Sequence, residues 1–265
     1  MLPRRPWRGN WPPFTKGHTA VLDEGVIIVI PARYESSRFP GKALAEIEGR
    51  PLIEHVYRRA RAVRGIEAVL VATDDARIAN AVESFGGVVA LTASDLASGT
   101  DRVAAVAGQM RADIVVNLQG DEPMIDPRTI EAVIEPLREG GAIQMTTAAK
   151  RIEREQEMTD TNVVKVVADQ SGFALYFSRS AIPHRRIGSQ QPLYKHIGLY
   201  GYRRALLLEI ADLAPTPLEL SEGLEQLRVL ESGHRIKVVE TAYDSLSVDT
   251  LEQLERVRKR MRGAE

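Results

Sequence analysis

The sequence predicts a single α/β domain with a mostly parallel central sheet and an antiparallel insertion in its second half. Three observations lead there. From residue 26 to residue 140, short apolar, β-branched runs alternate with helical stretches, the pattern of parallel strands joined by crossover helices. Beyond Gly140 that alternation gives way to neighbouring strand-like runs joined by a hairpin turn. No internal repeat is present, and 265 residues suffice for one large core.

VIIVI (26–30) ends at Pro31 and reads as a strand buried on both faces. PLIEHVYRRARAV (51–63) puts Leu52, Ile53, Val56, Tyr57, Ala60 and Val63 on one helical stripe, with Pro51 in the first turn. AVLVAT (68–73), VVALT (88–92) and DIVVNLQ (113–119) repeat the strand signature, with helices expected over 75–85 and 101–111. Asp126-Pro127 reads as a cap and first residue of the next helix. The insertion, residues 142–204, holds AIQMTTAA, then NVVKVVADQSGFALYFSR with Asp169 to Gly172 as a hairpin turn, then HIGLYGYRR. A helix over 218–232, a strand RIKVVET and a last helix DTLEQLERVRKRM complete the domain, which runs over 26–265. Residues 1–25 show no structural period and several prolines, and are expected to be a disordered N-terminal extension without assigned function.

Composition excludes several chemistries. With 35 basic and 36 acidic side chains, the chain lacks the strongly basic balance of a nucleic-acid-binding domain, so no nucleic-acid partner is expected. The absence of cysteine removes disulfides, thiolate catalysis and Cys-based metal centres. No apolar run approaches the roughly 18 residues of a membrane span, and the first 25 residues lack the apolar core of a secretory signal. The expectation is a cytoplasmic protein with no membrane insertion.

In open α/β sheets ligands bind beyond the carboxyl ends of the strands, which directs attention to PARYESSRFPGK (31–42). It lacks the G-x-G-x-x-G of a dinucleotide fold and is not a Walker A loop. It does bring Arg33, Arg38 and Lys42 together, fixed positive charge suited to a polyphosphate. QGDEP (119–123) follows the strand IVVNL, so Asp121 leaves a buried strand at the ligand edge, either as a turn residue or as a magnesium ligand. Asp249 in SVDT is a second carboxylate candidate, but spacing alone favours a cap, with Glu252 three residues on. The five histidines show no metal spacing and no G-x-S-x-G elbow occurs. Glu225 and Arg228 are spaced to pair on one helix face.

Taken together, IPARYESSRFPGK, ATDD, SGTDR, NLQGDEPMI, ALYFSR with IP, KHIGLYGY, LELSEGLEQLR and SVDT resemble, in this order, the CMP-Kdo synthetases, the 3-deoxy-manno-octulosonate (Kdo) cytidylyltransferases. The resemblance covers residues 26–261. It implies a Rossmann-like, glycosyltransferase-A-like nucleotidyltransferase that forms a homodimer through its antiparallel part. It also implies CTP and Kdo as substrates and Mg²⁺ as cofactor, giving CMP-Kdo for lipopolysaccharide biosynthesis and pyrophosphate. By the same resemblance Arg33, Lys42, Asp121 and Asp249 are the catalytic set. Arg33 and Lys42 hold the triphosphate, and Asp121 and Asp249 bind the metal, against the capping reading of Asp249. Ala32, Ser98, Gly99, Asp101 and Gln119 fall on the nucleotide side; Gln119, Arg179, His196, Tyr200, Glu225 and Gln226 match the sugar-acid side. Alternatives are a cytidylyltransferase for another sugar acid, of the 8-amino-Kdo or sialic acid type, and an inactive nucleotide-binding module. Three features depart from the family pattern: Ser247 in place of Gly, Lys195 in place of Arg, and the short IPHRR segment before Tyr194.

Overall fold

The computed structural model describes residues 25–36, 38–187 and 190–263, so nearly all of the expected N-terminal extension lies outside the described residues. Strand β1 (Val26–Pro31) leads through a 3₁₀ turn, Lys42–Leu44, and a small hairpin, β2 (Glu46–Ile47) and β3 (Arg50–Pro51), into α1 (Leu52–Arg61). There follow β4 (Ala68–Thr73), α2 (Ala76–Ser84), β5 (Val88–Leu91), α3 (Gly99–Ala107), β6 (Ile114–Leu118) and α4 (Pro127–Arg138). Next come β7 (Met145–Arg151), α5 (Gln156–Thr159), β8 (Lys165–Ala168), β9 (Ala174–Ser178), β10 (Tyr194–Arg203) and α6 (Arg204–Ala211). The chain closes with α7 (Pro217–Glu222), α8 (Gln226–Glu231), β11 (Lys237–Thr241) and α9 (Leu251–Arg262).

The main sheet runs β11-β7-β10-β6-β1-β4-β5, with the β8–β9 hairpin joined through β10. Strands β6, β1, β4 and β5 are parallel, whereas β10 is antiparallel to both β6 and β7, as the change of pattern after Gly140 predicts. Strand β1 is fully buried because both faces are covered. On one side lie α1, α2, α4 and α9; on the other lie α3, α6 and α8. All six residues of the predicted α1 stripe are buried, and their removal from water is the main force seating the helix. Pro51 sits one residue before that helix, in β3.

One predicted element breaks in two. The single helix expected over 218–232 is α7 and α8, separated at Gly223, whose φ of 63° is left-handed and terminates a helix at little steric cost. The sheet order turns back at β1, from which β4 and β5 extend one way and β6 the other. Loops 31–42 and 119–126 therefore leave adjacent strand ends at the topological switch point, where such sheets bind ligands.

Candidate active site

Local backbone requirements bring the two loops together. Gly41 adopts φ +74°, and a Cβ there would meet the Tyr34 ring at 3.1 Å; its N–H closes the loop on the Tyr34 carbonyl at 2.7 Å. Lys42 then starts the 3₁₀ turn with its ammonium aimed across the strand ends. At Gly120 a Cβ would lie 2.8 Å from the Pro31 carbonyl oxygen, so only glycine lets loop 119–126 pass this close to the end of β1. Val248 donates its N–H to the Asp121 carbonyl at 2.9 Å, which draws the segment before α9 against the same spot.

Asp121 and Asp249 meet there. Lys42 Nζ lies 2.5 Å from Asp121 Oδ2 and 2.8 Å from Asp249 Oδ1, and Arg38 Nη2 lies 2.9 Å from Asp249 Oδ2. Burial opposes the charge on Lys42, but the two carboxylates outweigh it and hold the ammonium above its ordinary range. Burial likewise opposes ionisation of Asp249, and Lys42 and Arg38 reverse that, keeping the carboxylate below its ordinary range. The capping reading of Asp249 fails. Thr250 is the N-cap of α9, its hydroxyl accepting from Gln253 N–H at 3.2 Å while the Gln253 side chain returns to the Thr250 N–H at 3.1 Å. The helix starts one residue later than spacing suggests, and that single step frees the Asp249 carboxylate.

Beside this cluster opens a cavity of about 320 Å³ lined by Ala32, Arg33, Lys42, Gly99, Gln119 and Asp121, among others. Arg33 is steadied by a 3.2 Å bond to the Ala97 carbonyl. Ser98 and Asp101 form a reciprocal capping box, each side chain bonded to the other's backbone N–H at 3.1 Å. They shape the start of α3, and it is Gly99 that borders the cavity.

A second cavity, about 540 Å³, holds Gln119, Arg179, His196, Tyr200, Glu225 and Gln226 together. All six residues expected on the sugar-acid side thus share one wall system. Thr147 donates its hydroxyl to the Leu199 carbonyl at 2.8 Å, so its oxygen accepts from His196 Nε2 at 2.9 Å. Burial beneath the cavity pushes the His196 pKa down to about 3, and the ring is a neutral hydrogen-bonding group at physiological pH. Arg179 is one of several cations lining this cavity, anchored through carbonyls of Glu222 at 2.8 Å, Thr161 at 3.0 Å and Gly223 at 3.4 Å. Glu225 accepts from the Thr100 hydroxyl at 2.6 Å rather than pairing with Arg228, which binds Glu219 at 2.5 Å. Gln226 is 5% exposed, and its Nε2 has no protein partner; a buried donor left open in a cavity wall suits a polar ligand.

A family model described as cytidylyltransferase matches residues 27–236. The chain is 50% identical, over 89% of its length, to the 3-deoxy-manno-octulosonate cytidylyltransferase of Geobacter sulfurreducens, 99% of which is covered. It is 52% identical to the protein of the same name from Solibacter usitatus, over 88% of this chain and 92% of that one. The chain belongs to the 3-deoxy-manno-octulosonate cytidylyltransferase family. It is a nucleotidyltransferase. The solved structure of a CMP:2-keto-3-deoxy-manno-octonic acid synthetase complexed with CTP matches it with a TM-score of 0.87 at 44% identity, covering 91% of this chain and 100% of that one. A 4-diphosphocytidyl-2C-methyl-D-erythritol synthase from Anaerococcus prevotii, 13% identical with a TM-score of 0.61, shares the fold.

Within this cytidylyltransferase two further residues at the site lie in quoted motifs but have no role that local sequence reveals. Arg102, in the SGTDR motif, is 1% exposed; it donates to the Thr92 hydroxyl and pairs with Asp74 at 3.3 Å, forming the floor of the smaller cavity. Glu122 bonds the Ser245 hydroxyl, and burial, aided by the neighbouring Asp121 charge, pushes its pKa up to about 8. Only its place beside Asp121 pointed to it. The departure at Lys195 has a local explanation: its ammonium bridges Glu157 at 2.6 Å and Asp244 at 2.8 Å, a contact a point charge makes without a bidentate fork. Ser247 borders the larger cavity; nothing in the structure explains its choice over glycine.

Proposed function

We propose that this cytidylyltransferase transfers CMP from CTP to the anomeric hydroxyl of Kdo, releasing pyrophosphate and supplying CMP-Kdo for lipopolysaccharide assembly. The observation that carries the reading is the meeting of a smaller cavity lined by Arg33, Lys42 and Arg102 and a larger cavity lined by polar side chains at Gln119, with Asp121, Asp249 and Lys42 beside the junction. Identity near 50% to proteins named for this activity supports it. The triphosphate lies against Arg33 and Lys42, and the sugar acid lies among Arg179, His196, Tyr200, Glu225 and Gln226. Ala32, Ser98, Gly99 and Asp101 shape the base and ribose end. A bond forms between the anomeric oxygen and the α-phosphorus as the bond from that phosphorus to the β-phosphate oxygen breaks, pyrophosphate leaving and the hydroxyl proton passing to solvent. The protein's part is placement and charge neutralisation.

Magnesium fits this donor set. Two carboxylates already hold one ammonium between them, and among the described residues no group of three or more His, Asp or Glu could form a metal site of protein ligands alone. Such a pair suits a cation that takes its remaining ligands from phosphate and water. Held by Asp121 and Asp249, Mg²⁺ would neutralise phosphate charge and lower the hydroxyl pKa. With both carboxylates on the ion, the Lys42 ammonium would be available to the triphosphate. No helix among the described residues is long and apolar enough to cross a membrane, and a cytoplasmic location suits an enzyme that consumes CTP. A homodimer through the antiparallel insertion is part of the reading, as the family resemblance implies; a monomer mass in light scattering overturns that part.

The test is pyrophosphate release across four nucleotides and a panel of Kdo, 8-amino-Kdo and a sialic acid. Release with CTP and Kdo, abolished by chelator, is the expected result. Equal turnover of another sugar acid, or turnover in excess chelator, overturns it.

A further inference from the structure

Strand β6 contains a residue its pattern does not call for. Ile114, Val116 and Leu118 pack into the core on one face and Val115 into the core on the other. Asn117 follows on the Val115 face, completely buried, between Val29 of β1 and Tyr200 of β10. A buried amide in the middle of a central strand weakens the fold unless its polar atoms are matched. Only one is. Asn117 Oδ1 accepts from Gln119 Nε2 at 3.0 Å, while Asn117 Nδ2 has no protein partner. A local rule broken at a stability cost, next to a reaction centre, marks a functional constraint.

Its partner has an unusual place. Among the described residues Gln119 is the one that lines both cavities. Its side chain runs between two glycines: a Cβ at Gly198 would lie 3.8 Å from Gln119 Cγ, and a Cβ at Gly99 would lie 3.7 Å from Oε1. Nε2 gives one of its two N–H groups to Asn117, and this places Oε1 on the Gly99 side, at the wall of the smaller cavity where it meets the larger. An amide oxygen there accepts a hydrogen bond and offers none.

We propose that Asn117 is a positioning residue that locks the Gln119 amide with Oε1 towards the junction, where it accepts from a hydroxyl of the sugar acid and so orients that substrate against the nucleotide. This deepens the proposed function and rests on it for the identity of the donor. The same lock disfavours ligands presenting an acceptor at this point, since two oxygens would then face each other.

Two variants and one spectroscopic readout test it. Asn117→Leu keeps the shape and removes both the acceptor and the unmatched donor, so the protein should stay folded with unreduced thermal stability. Its CTP affinity by calorimetry should remain within about twofold, while kcat/KM for Kdo falls about tenfold through KM. Asn117→Asp retains an acceptor for Nε2; it should keep the Kdo KM within about threefold even though burying a carboxyl lowers its stability. In ¹⁵N-glutamine-labelled protein, the Gln119 side-chain amide, assigned with Gln119→Met, should be protected from solvent exchange in the wild type and unprotected in Asn117→Leu. Wild-type Kdo kinetics in Asn117→Leu, or equal losses in both variants with both folded, overturn the proposal. Unchanged amide protection in Asn117→Leu also overturns it. If the wild type itself fails to turn over Kdo, the functional reading fails, and the amide measurement still decides whether the lock exists.

Discussion

The two halves of the site are built from different physics. On the nucleotide side, charge meets charge: Lys42 and Arg38 are paired with Asp121 and Asp249 at 2.5 to 2.9 Å, on loops leaving parallel strands. The sugar side sets neutral groups, an uncharged His196, Tyr200 and a buried Gln226 with an open donor, beside charged groups already held by protein partners, Arg179 by backbone carbonyls and Glu225 by the Thr100 hydroxyl. The difference follows from what each half must hold. A triphosphate carries several negative charges and is best met by strong, rearrangeable ion pairs, whereas a polyol is distinguished by the positions of hydroxyl groups, which directional hydrogen bonds read better than charge.

The largest effect should come from breaking the charged half. Asp121→Asn leaves Lys42 with one carboxylate partner and removes half of the metal donor set, so kcat should fall by about 10³-fold, several kcal/mol of transition-state stabilisation. Pyrophosphate release measured against Mg²⁺ concentration checks this, and a wild-type rate refutes the assignment. On the sugar side, Gln226→Ala and Glu225→Ala should each lower kcat/KM for Kdo by about 10 to 100-fold, the cost of one or two lost directional hydrogen bonds, with CTP binding by calorimetry nearly unchanged. A parallel loss of CTP affinity would merge the two halves.

A third prediction uses pH. The His196 pKa is depressed to about 3 in the folded protein from about 6.5 unfolded, so its contribution to stability is present above pH 6.5 and is lost as pH falls towards 3. The slope is at most about 1.4 kcal/mol per pH unit, reduced because cavity water reaches the ring. His196→Gln should flatten the acid side of the stability profile in denaturant titrations between pH 6.5 and 4; an unaltered slope removes His196 as its source. The smallest effect separates cap from catalyst. Thr250→Ala should cost about 1 kcal/mol of stability and leave turnover intact, whereas Asp249→Asn should cost turnover with little change in melting temperature.

Much of the framework was legible in local sequence, because strands buried on both faces and helices buried on one leave periodic signatures. The six-residue α1 stripe and the turn Asp169 to Gly172 are cases: β8 and β9 flank that turn, and Gly172 N–H donates to the Asp169 carbonyl at 2.9 Å. Local patterns misled where two local solutions compete. DTLE and TLEQ both describe a cap three residues before a side-chain acceptor, and the cap is chosen by Val248 N–H bonding the Asp121 carbonyl at 2.9 Å. Likewise Glu225 and Arg228 have helical spacing, but the break at Gly223 gives each a different partner.

What the sequence by itself determined is therefore the alternation of elements, the loops at the switch point and the residue types offered there, since burial pattern and turn chemistry act over a few neighbouring residues. Only the tertiary structure decided which groups face one another. Lys42 and Asp249 stand 207 positions apart, and Thr100 and Glu225 stand 125 apart; no periodicity spans such distances. Their contacts are set by sheet order, by close backbone approaches such as Gly120 on the Pro31 carbonyl, and by the packing that brings distant loops to one sheet edge.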